Sequence, residues 1–367
     1  MNILIEKDEL QDVLSLASKF TTSRFTTTTH LQGVLIKGEE KLLHFTSTDL
    51  NVYFHTKIKV KENIKTSIVV EPKKIIEYLS LLPSGKIEVE FKEKNMLIVK
   101  DKNRGIFPIM ASADFPPVPK LDKEKKQSVK TDFLIKNLAL VLFSASSDET
   151  RPALTAVNFL TQDQDLIMVS TDGFRLSLVK TAKDINIPQA LISGRFLDDV
   201  LKEAKNEKEI FLYYSEKEKT ILFTVGQKEF YSRLIEGDFP PFEKVIPSES
   251  KTKITVDREE LLQKVRLVSV FARDYSNIII CEVKKDGIHI SPKVDGGIEG
   301  STAFQDAEVD GIEQKIAFNF RFVNDFLSTV RAKKIIIEIL RSDAPVVFKE
   351  EGKKNFIHII MPIRIST

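Results

Sequence analysis

The tetrapeptide Asp114-Phe115-Pro116-Pro117 occurs again as Asp238-Phe239-Pro240-Pro241, 124 residues further along the chain. Proline lacks a backbone donor and has a fixed φ angle, so a proline pair ends a strand and stiffens the connection that follows. A charged stretch follows each copy, at residues 120–130 and 243–253, and we interpret both as linkers between domains. The repeat therefore predicts similar domains arranged in tandem.

Each third of the chain begins with the same kind of pattern, an aspartate followed by apolar residues at helical spacing. The aspartates are Asp8, Asp132 and Asp257, which lie 124 and 125 residues apart. Aspartate accepts the free backbone N–H groups of a first helical turn, so we expect all three to be helix N-caps. Further helices are predicted near 72–79, 195–201 and 321–327, and β-rich segments near 86–99, 209–225 and 334–348.

The length of 367 residues predicts two or three domains at ~150 residues per domain. The repeat divides the chain into three, at 1–124, 125–248 and 249–367. Three unrelated α+β domains of similar size are the alternative, but they would not explain the matched aspartates and tetrapeptides. We therefore expect one α+β unit that is present three times.

The size of such a unit limits what it can surround. A domain of this length is roughly 35 Å across, so a ring of three leaves a hole of ~5 Å and a ring of six leaves roughly 35 Å. A nucleic-acid duplex is about 20 Å wide. One chain is therefore too small to encircle a duplex, whereas two chains placed head to tail are large enough.

Composition excludes several classes of protein. Hydrophobic residues make up 42% and charged residues 29%, which is typical of a globular chain. The single cysteine, Cys281, excludes a disulfide framework and cysteine-based zinc sites, and the five histidines lack metal-binding spacing. We expect no metal and no cofactor. The longest uncharged stretch, residues 25–36, is too short to cross a membrane, and no signal peptide is evident, so we expect a cytoplasmic protein.

No catalytic motif is present in the sequence. A P-loop, a Gly-x-Ser-x-Gly elbow and a His-Glu-x-x-His motif are all missing. The glycines of residues 296–300 fit a hairpin or a loop, and acidic pairs are expected by chance among 53 acids. We predict a protein that is not an enzyme. A hydrolase with its site in an interdomain cleft and a monomeric scaffold are the two alternatives.

Charge leaves one possibility open. The net charge of +2 argues against strong non-specific binding to nucleic acid through overall charge alone. It does not exclude a basic stripe that is balanced by acidic residues elsewhere.

Several segments of the sequence resemble the bacterial DNA polymerase III beta subunit, the beta sliding clamp family. They are TRPALTAV at 150–157, STDGFRL at 170–176, the two Asp-Phe-Pro-Pro copies and MPIRI at 361–365. The resemblance implies an α+β fold of three similar DNA-clamp domains, each with two inner helices and outer antiparallel sheets. It also implies a homodimeric, six-domain ring that encircles duplex DNA and tethers the polymerase without catalysis.

The resemblance further implies an apolar pocket between domains 2 and 3 for peptides of the DNA polymerase III alpha subunit, the clamp loader and other clamp-binding-motif proteins. The matching positions are Leu154, Thr171, Gly173, Phe174, Arg175, Leu176, Pro240, Val245, Asn319, Phe322, Val346, Met361, Pro362, Ile363 and Arg364. Aliphatic side chains and methionine suit such a concave, adaptable surface. For Leu154, Leu176 and Val346 a place in the core is the alternative.

The resemblance also implies DNA-facing and subunit-facing positions. Those near the duplex are Arg24, Lys73, Arg151 and Arg195, for which a solvated surface is the plain alternative. Phe107 and the Val270-Phe271 region, placed after the first helix of domain 3, are expected at the dimer contact. The chain departs from the family at Phe174, where histidine is common, at the threonines of 26–29, and at the two residues of 366–367.

Overall fold

The computed structural model describes residues 2–22, 29–121, 126–183, 187, 189–274, 276–293 and 301–364. The chain forms two compact units, one of Met1–Thr131 with Asp199–Leu234 and one of Asp132–Asp198 with Ile235–Thr367. The middle third of the sequence therefore contributes to both units. Arg24, most of the threonine run, the glycines of 296–300 and the residues of 366–367 lie outside the described residues.

Six helices occur in the described part of the chain. They are α1 (Lys7–Ser18), α2 (Pro72–Leu81), α3 (Thr131–Leu142), α4 (Gly194–Ala204), α5 (Arg258–Ala272) and α6 (Phe320–Thr329). The second helix predicted for each third is present at each expected place. No described helix has both the length and the apolar character needed to cross a membrane.

The strands follow the same threefold order. In the first third they are β1 (Asn2–Glu6), β2 (Val34–Thr48), β3 (Val52–Val70), β4 (Lys86–Phe91), β5 (Asn95–Lys100) and β6 (Asn103–Met110). In the second they are β7 (Gln127–Lys130), β8 (Ala156–Gln162), β9 (Asp165–Thr171), β10 (Arg175–Ala182), β11 (Ala190–Ser193), β12 (Glu209–Ser215), β13 (Thr220–Val225) and β14 (Lys228–Arg233). In the third they are β15 (Thr252–Asp257), β16 (Ile278–Lys284), β17 (Gly287–Pro292), β18 (Ala303–Gly311), β19 (Gln314–Asn319), β20 (Lys334–Ile339), β21 (Val346–Glu350) and β22 (Phe356–Ile360).

Strands from neighbouring thirds pair with each other inside each unit. In the first unit the order is β1-β4-β5-β6-β3-β14-β13-β12-β7, with β2 also on β3. In the second it is β11-β8-β9-β10-β22-β21-β20-β15-β18-β17-β16-β19. The joining pairs are antiparallel: Phe230 of β14 lies opposite Phe54 of β3, and Leu176 of β10 lies opposite Ile359 of β22. Each unit thus has a continuous sheet that crosses a repeat boundary.

Helices cover these sheets with their apolar sides. In α1, Leu10, Leu14 and Ala17 recur at helical spacing and are buried, and α1 packs against α2. In the second unit, α5 packs against α6 in the same way. This agrees with the repeated helix pair that the spacing predicted.

The N-terminus of one helix per third is held by the same long-range bond. The three N–H to carbonyl pairs are Lys7 to Gly85 (3.0 Å), Thr131 to Lys208 (3.1 Å) and Arg258 to Lys333 (2.9 Å). The aspartates stand at different places relative to this bond, because Asp257 directly precedes the donor residue Arg258, whereas Asp8 and Asp132 follow their donor residues by one position. The N-cap prediction is therefore wrong for Asp8 and Asp132. Both lie inside the first turn, where a carboxylate still favours the positive end of the helix dipole.

Asp257 is an N-cap as predicted. Its Oδ1 accepts the backbone N–H groups of Glu259 at 2.9 Å and Glu260 at 3.1 Å. We expect Asp257→Ala to lower the free energy of unfolding by about 1 kcal/mol, because two N–H groups lose their acceptor. Asp132→Ala is the matched control, and thermal melting measures both. An equal loss for the two variants would contradict the difference between these sites.

The linkers are shorter than the charged stretches indicated. Residues 127–130 form β7, whose Val129 is buried, and residues 252–257 form β15, whose Ile254 is buried. Residues 242–245 form a 3₁₀ turn with Phe242 buried. Val129 inside the first charged stretch, and Phe242 and Ile254 on either side of the second, are therefore drawn into the sheets and their packing, because their burial is favourable.

Cys281 lies in β16, as expected for a strand residue. Burial raises the pKa of its thiol to about 12. The thiol is therefore protonated and unreactive at neutral pH.

Candidate functional site

A tight turn joins β9 to β10 and exposes one aromatic ring. Thr171 Oγ1 accepts the Gly173 N–H at 3.0 Å and donates to the Arg175 carbonyl at 2.6 Å. Asp172 Oδ1 accepts the N–H groups of Phe174 and Arg175, both at 2.9 Å. Gly173 has φ of +91°, a left-handed conformation that suits glycine. These bonds fix the turn and leave Phe174 63% exposed.

Arg175 connects this turn to helix α6. Its Nε donates to Asp172 Oδ2 at 2.9 Å and its Nη1 donates to Asp325 Oδ2 at 2.6 Å. The guanidinium lies 4.7 Å from the Phe322 ring centroid and 5.8 Å from that of Phe143. The Arg175 and Asp172 side chains are only 11% and 15% exposed, so their charge-assisted bond is weakly screened, whereas Asp325 is 39% exposed. Arg175 thus serves as a buried link rather than as an exposed charge.

The last described residues lie beside the same turn. After β22, the Met361 N–H donates to the Phe174 carbonyl at 2.8 Å and the Ile363 N–H donates to the Ala317 carbonyl at 2.8 Å. Met361, Pro362 and Ile363 are half-buried, and Arg364 is exposed. The terminal segment is therefore held to the turn and to β19 while its side chains keep solvent contact.

An apolar cluster underlies this surface. Its buried members are Val169, Leu176, Phe242, Val347 and Ile359, and its partly buried neighbours are Leu160, Leu178, Phe239, Val245, Ile246 and Ile357. The cluster brings together Leu176 and Val245, two of the expected pocket positions that lie far apart in sequence. Pro240 is exposed, next to the half-buried Phe239, whose ring centroid is 6.3 Å from that of Phe242.

Three other expected pocket positions have structural roles or are buried. Asn319 is the N-cap of α6 and accepts the Arg321 N–H at 3.0 Å. Leu154 is 8% exposed, and Val346 is fully buried opposite Ile360. Val346 therefore has no solvent-accessible surface for a peptide to contact, and Leu154 has very little. The expected pocket positions therefore include exposed, half-buried and buried residues.

A buried polar chain lies beneath Arg175. Ser144 Oγ is 2.7 Å from Ser177 Oγ, which is 2.8 Å from His358 Nδ1. His358 stacks on Phe326 with ring centroids 5.2 Å apart and an interplanar angle of 10°. Burial, together with the nearby Arg175 charge, lowers the pKa of His358 well below its usual range. His358 is therefore neutral at physiological pH and adds no charge under the site.

Sequence reasoning missed several residues of this site. Phe143, Asp172 and Asp325 surround Arg175, but Asp325 is 150 residues away in sequence and no local pattern points to it. Phe239 belongs to the repeated Asp-Phe-Pro-Pro tetrapeptide and Phe242 directly follows it, but only the prolines were given a structural meaning. The recurrence of phenylalanine beside the prolines could have predicted that an aromatic ring packs there.

The basic candidates are exposed where they are described. Lys73 lies on α2, Arg195 lies on α4, and Arg151 precedes the 3₁₀ turn Pro152–Thr155. Arg24 lies outside the described residues. Each described candidate is free to meet a phosphate, and each also fits a solvated surface.

The candidates for a subunit contact need correction. Strand alternation turns Phe107 inward, where its ring centroid is 5.5 Å from that of Tyr78, and turns Ile106 outward. Val270 and Phe271 lie within the last turn of α5, not after the helix. Together with Leu267 they form an exposed apolar strip at i, i+3 and i+4 spacing.

Three family models match the chain one after another. The model of the DNA polymerase III beta subunit N-terminal domain matches residues 1–119. The model of its central domain matches residues 128–241, and that of its C-terminal domain matches residues 243–364. The three matches follow one another in the order of that subunit.

Individual proteins agree with these matches. The beta sliding clamp of Bacillus subtilis (strain 168) is 26% identical over 99% of this chain and 100% of its own length. That of Synechococcus elongatus is 26% identical over 100% of both chains. The crystal structure of the DNA polymerase III beta subunit from Thermotoga maritima superposes with a TM-score of 0.89 at 22% identity, covering 100% of both chains. The sliding clamp structure from Bacillus subtilis gives 0.89 at 25% identity with the same coverage.

The resemblance and the fold class expected from the sequence are thereby confirmed, and this chain belongs to the DNA polymerase III beta subunit family, with the three-domain clamp fold of six helices and antiparallel sheets in its described residues.

Proposed function

We propose that two copies of this chain form a ring around duplex DNA and tether the DNA polymerase III alpha subunit, which makes synthesis processive. The domains are those bounded near residues 124 and 248, and the protein acts in the cytoplasm without catalysing a reaction. Family membership supports the clamp role. The observation that carries the tethering role is the locked turn with exposed Phe174 beside the terminal segment.

That surface suits a short peptide. Phe174, Met361 and Pro362 offer apolar contact area, and the Arg175 bonds hold the turn and α6 in fixed positions. A preformed apolar surface loses little entropy when a peptide binds. Peptides of the alpha subunit, the clamp loader and other clamp-binding-motif proteins are the proposed ligands.

The DNA contact is proposed to be loose. Lys73, Arg151 and Arg195, together with Arg24, would meet phosphates without reading sequence. The near-neutral net charge of +2 supports a ring that moves along the duplex, because many phosphate contacts would bind tightly and with a strong dependence on salt.

The dimer is proposed to form through exposed apolar surface. Leu267 and Val270 are 51% and 50% exposed on α5, and Ile106 is 58% exposed on β6. Contiguous apolar surface of this kind marks interfaces between proteins. We place the α5 strip of each copy against the region of β6 around Ile106 of the other copy.

The oligomeric state tests this proposal. We expect the protein to have the mass of two chains in solution and the variant with Leu267→Glu and Phe271→Glu to have the mass of one. Burying two carboxylates in an apolar contact costs several kcal/mol in total, so a loss of affinity of at least 100-fold is expected. Light scattering across a concentration series measures it, with Ile312→Glu as an exposed control. A wild-type protein that stays monomeric at every concentration would contradict the ring.

A further inference from the structure

The β2–β3 hairpin carries a row of lysines on one face. Lys57, Lys59 and Lys61 occupy alternate positions of β3 and are all exposed, and we name these three residues the lysine row. Alternate strand residues share one face at about 6.7 Å spacing, so the three ammonium groups project in the same direction. Lys65 continues the exposed positions of the strand beyond them.

Few acidic groups neutralise this row. Glu39 is paired with Lys37 on β2, and Glu62 is half-buried. Among the described residues, none of the three lysines of the row has an ion pair with a carboxylate. The row therefore presents three unpaired positive charges in line.

Edge protection is one role of charge on this part of β3. The strand pairs with β14 only from Val52 to His55 and with β6 only through Val69 and Val70, so the lysine row lies on the stretch between these two pairings. Charged side chains, lysine above all, discourage such a stretch from pairing with another chain. What indicates an anionic ligand in addition is that these unpaired lysines adjoin a cavity.

The row raises the local positive field. Lys57 lies opposite His44 in the β2–β3 register, and the His44 ring is 3.1 Å from His55 through Nδ1 and Nε2. The pKa of His44 is lowered, mainly by burial, then by His55, with Lys57 and Lys37 adding to the effect and Glu39 opposing it. The face of the hairpin that carries the lysine row therefore has a positive potential, which attracts an anion.

A cavity opens at the end of the row. Two positions before Lys57 in β3, His55 lines an open cavity of about 470 Å³. The other lining residues are Val118, Pro119, Lys120, Leu121, Glu229 and Tyr231. Glu229 Oε2 accepts the Tyr231 hydroxyl at 2.8 Å and lies 3.1 Å from His55 Nδ1. The lining thus combines apolar residues with the Lys120 ammonium and the Glu229 carboxylate, and the cavity volume falls within the range of small-molecule sites.

We propose that the lysine row and this cavity bind single-stranded DNA. Lysines contact backbone phosphates without reading sequence, and an adjoining cavity with apolar and aromatic walls accepts an unpaired base. A duplex keeps its bases paired and stacked, so it cannot offer one to the cavity. This binding goes beyond the clamp role, since a ring that encircles DNA needs no such site.

The test is a charge reversal of the row. The variant Lys57→Glu, Lys59→Glu, Lys61→Glu is compared with the wild type for binding a fluorescein-labelled oligonucleotide of twenty thymidines. We expect a loss of at least tenfold in affinity at low salt, measured by fluorescence anisotropy. Because the variant can no longer contact three phosphates, the slope of log affinity against log salt should fall by about 2. The matched control is Lys205→Glu, Lys217→Glu, Lys285→Glu, which makes the same change in net charge at exposed positions.

Three results would overturn the proposal. In the first, the control variant weakens oligonucleotide binding as much as the lysine-row variant does. In the second, a duplex of the same length displaces the labelled oligonucleotide as effectively as an unlabelled single strand does. In the third, polyglutamate displaces it equally well. The melting temperature and mass of the variant show whether it is folded and dimeric. Retention on circular duplex should be unchanged in this variant, which separates failure of this site from failure of the clamp role.

Discussion

On a nicked circular duplex, the loaded protein is expected to remain bound through gel filtration, and cutting the circle once should release it at least ten times faster. A closed ring on closed DNA can leave only by opening, whereas on linear DNA it slides off an end. Because the net charge is +2, few phosphate contacts oppose the sliding. The measurement is the fraction of protein that elutes with DNA after loading by a clamp loader and ATP.

Two controls make this result specific. Bulky protein blocks at both ends of the linear DNA should restore retention, because they prevent the ring from leaving. Retention on the circle should also change little between low and moderate salt, unlike binding by phosphate contact. Equal retention on unblocked linear and circular DNA would mean that the protein grips DNA rather than encircling it.

The second large effect is expected at the terminal segment. Replacing Met361 and Pro362 with alanine should weaken binding of a polymerase alpha-subunit peptide by at least tenfold, which corresponds to about 1.4 kcal/mol. The side chains of both residues are partly open beside Phe174, and their removal takes away apolar contact area. Alanine at 361 keeps the backbone N–H that donates to the Phe174 carbonyl. The weaker binding would therefore come from side-chain contact, and fluorescence anisotropy of the labelled peptide measures it.

The control for this variant is Ile312→Ala, since Ile312 is 56% exposed and lies on the connection between β18 and β19, away from the turn. It removes a comparable apolar side chain and should leave peptide affinity unchanged. The mass of the double variant should remain that of the wild type, because the proposed dimer surface lies on α5 and β6. An unchanged peptide affinity in the double variant would contradict the peptide-binding site proposed here, but it would not contradict the proposed ring.

Local signals were enough to place the helices. Asn319 before α6 and Asp257 before α5 mark helix starts because their side chains accept N–H groups of the first turn, and Pro72 marks the start of α2 through its fixed φ angle. Such contacts span two or three residues, so the sequence alone contains both partners.

Predictions failed where a shift of one or two residues decided the outcome. Asp8, Asp132 and Asp257 are almost evenly spaced, and the same long-range backbone bond holds the first residue of each helix, yet Asp257 precedes that residue whereas Asp8 and Asp132 follow it. Phe107 was expected at a surface, but pairing of β6 with β5 turns it toward Tyr78. A shift of one residue reverses the face of a strand side chain, and no local pattern sets that shift.

The repeat and the family could both be read from the order of residues, because they rest on spacing and on short motifs. Folding alone placed Arg175 between Asp172 and Asp325, joined β10 to β22, and set the lysine row beside a cavity. Each of these features links residues that are far apart in the chain. Their contacts depend on strand pairing and helix packing, which the whole sequence determines cooperatively and no single segment encodes.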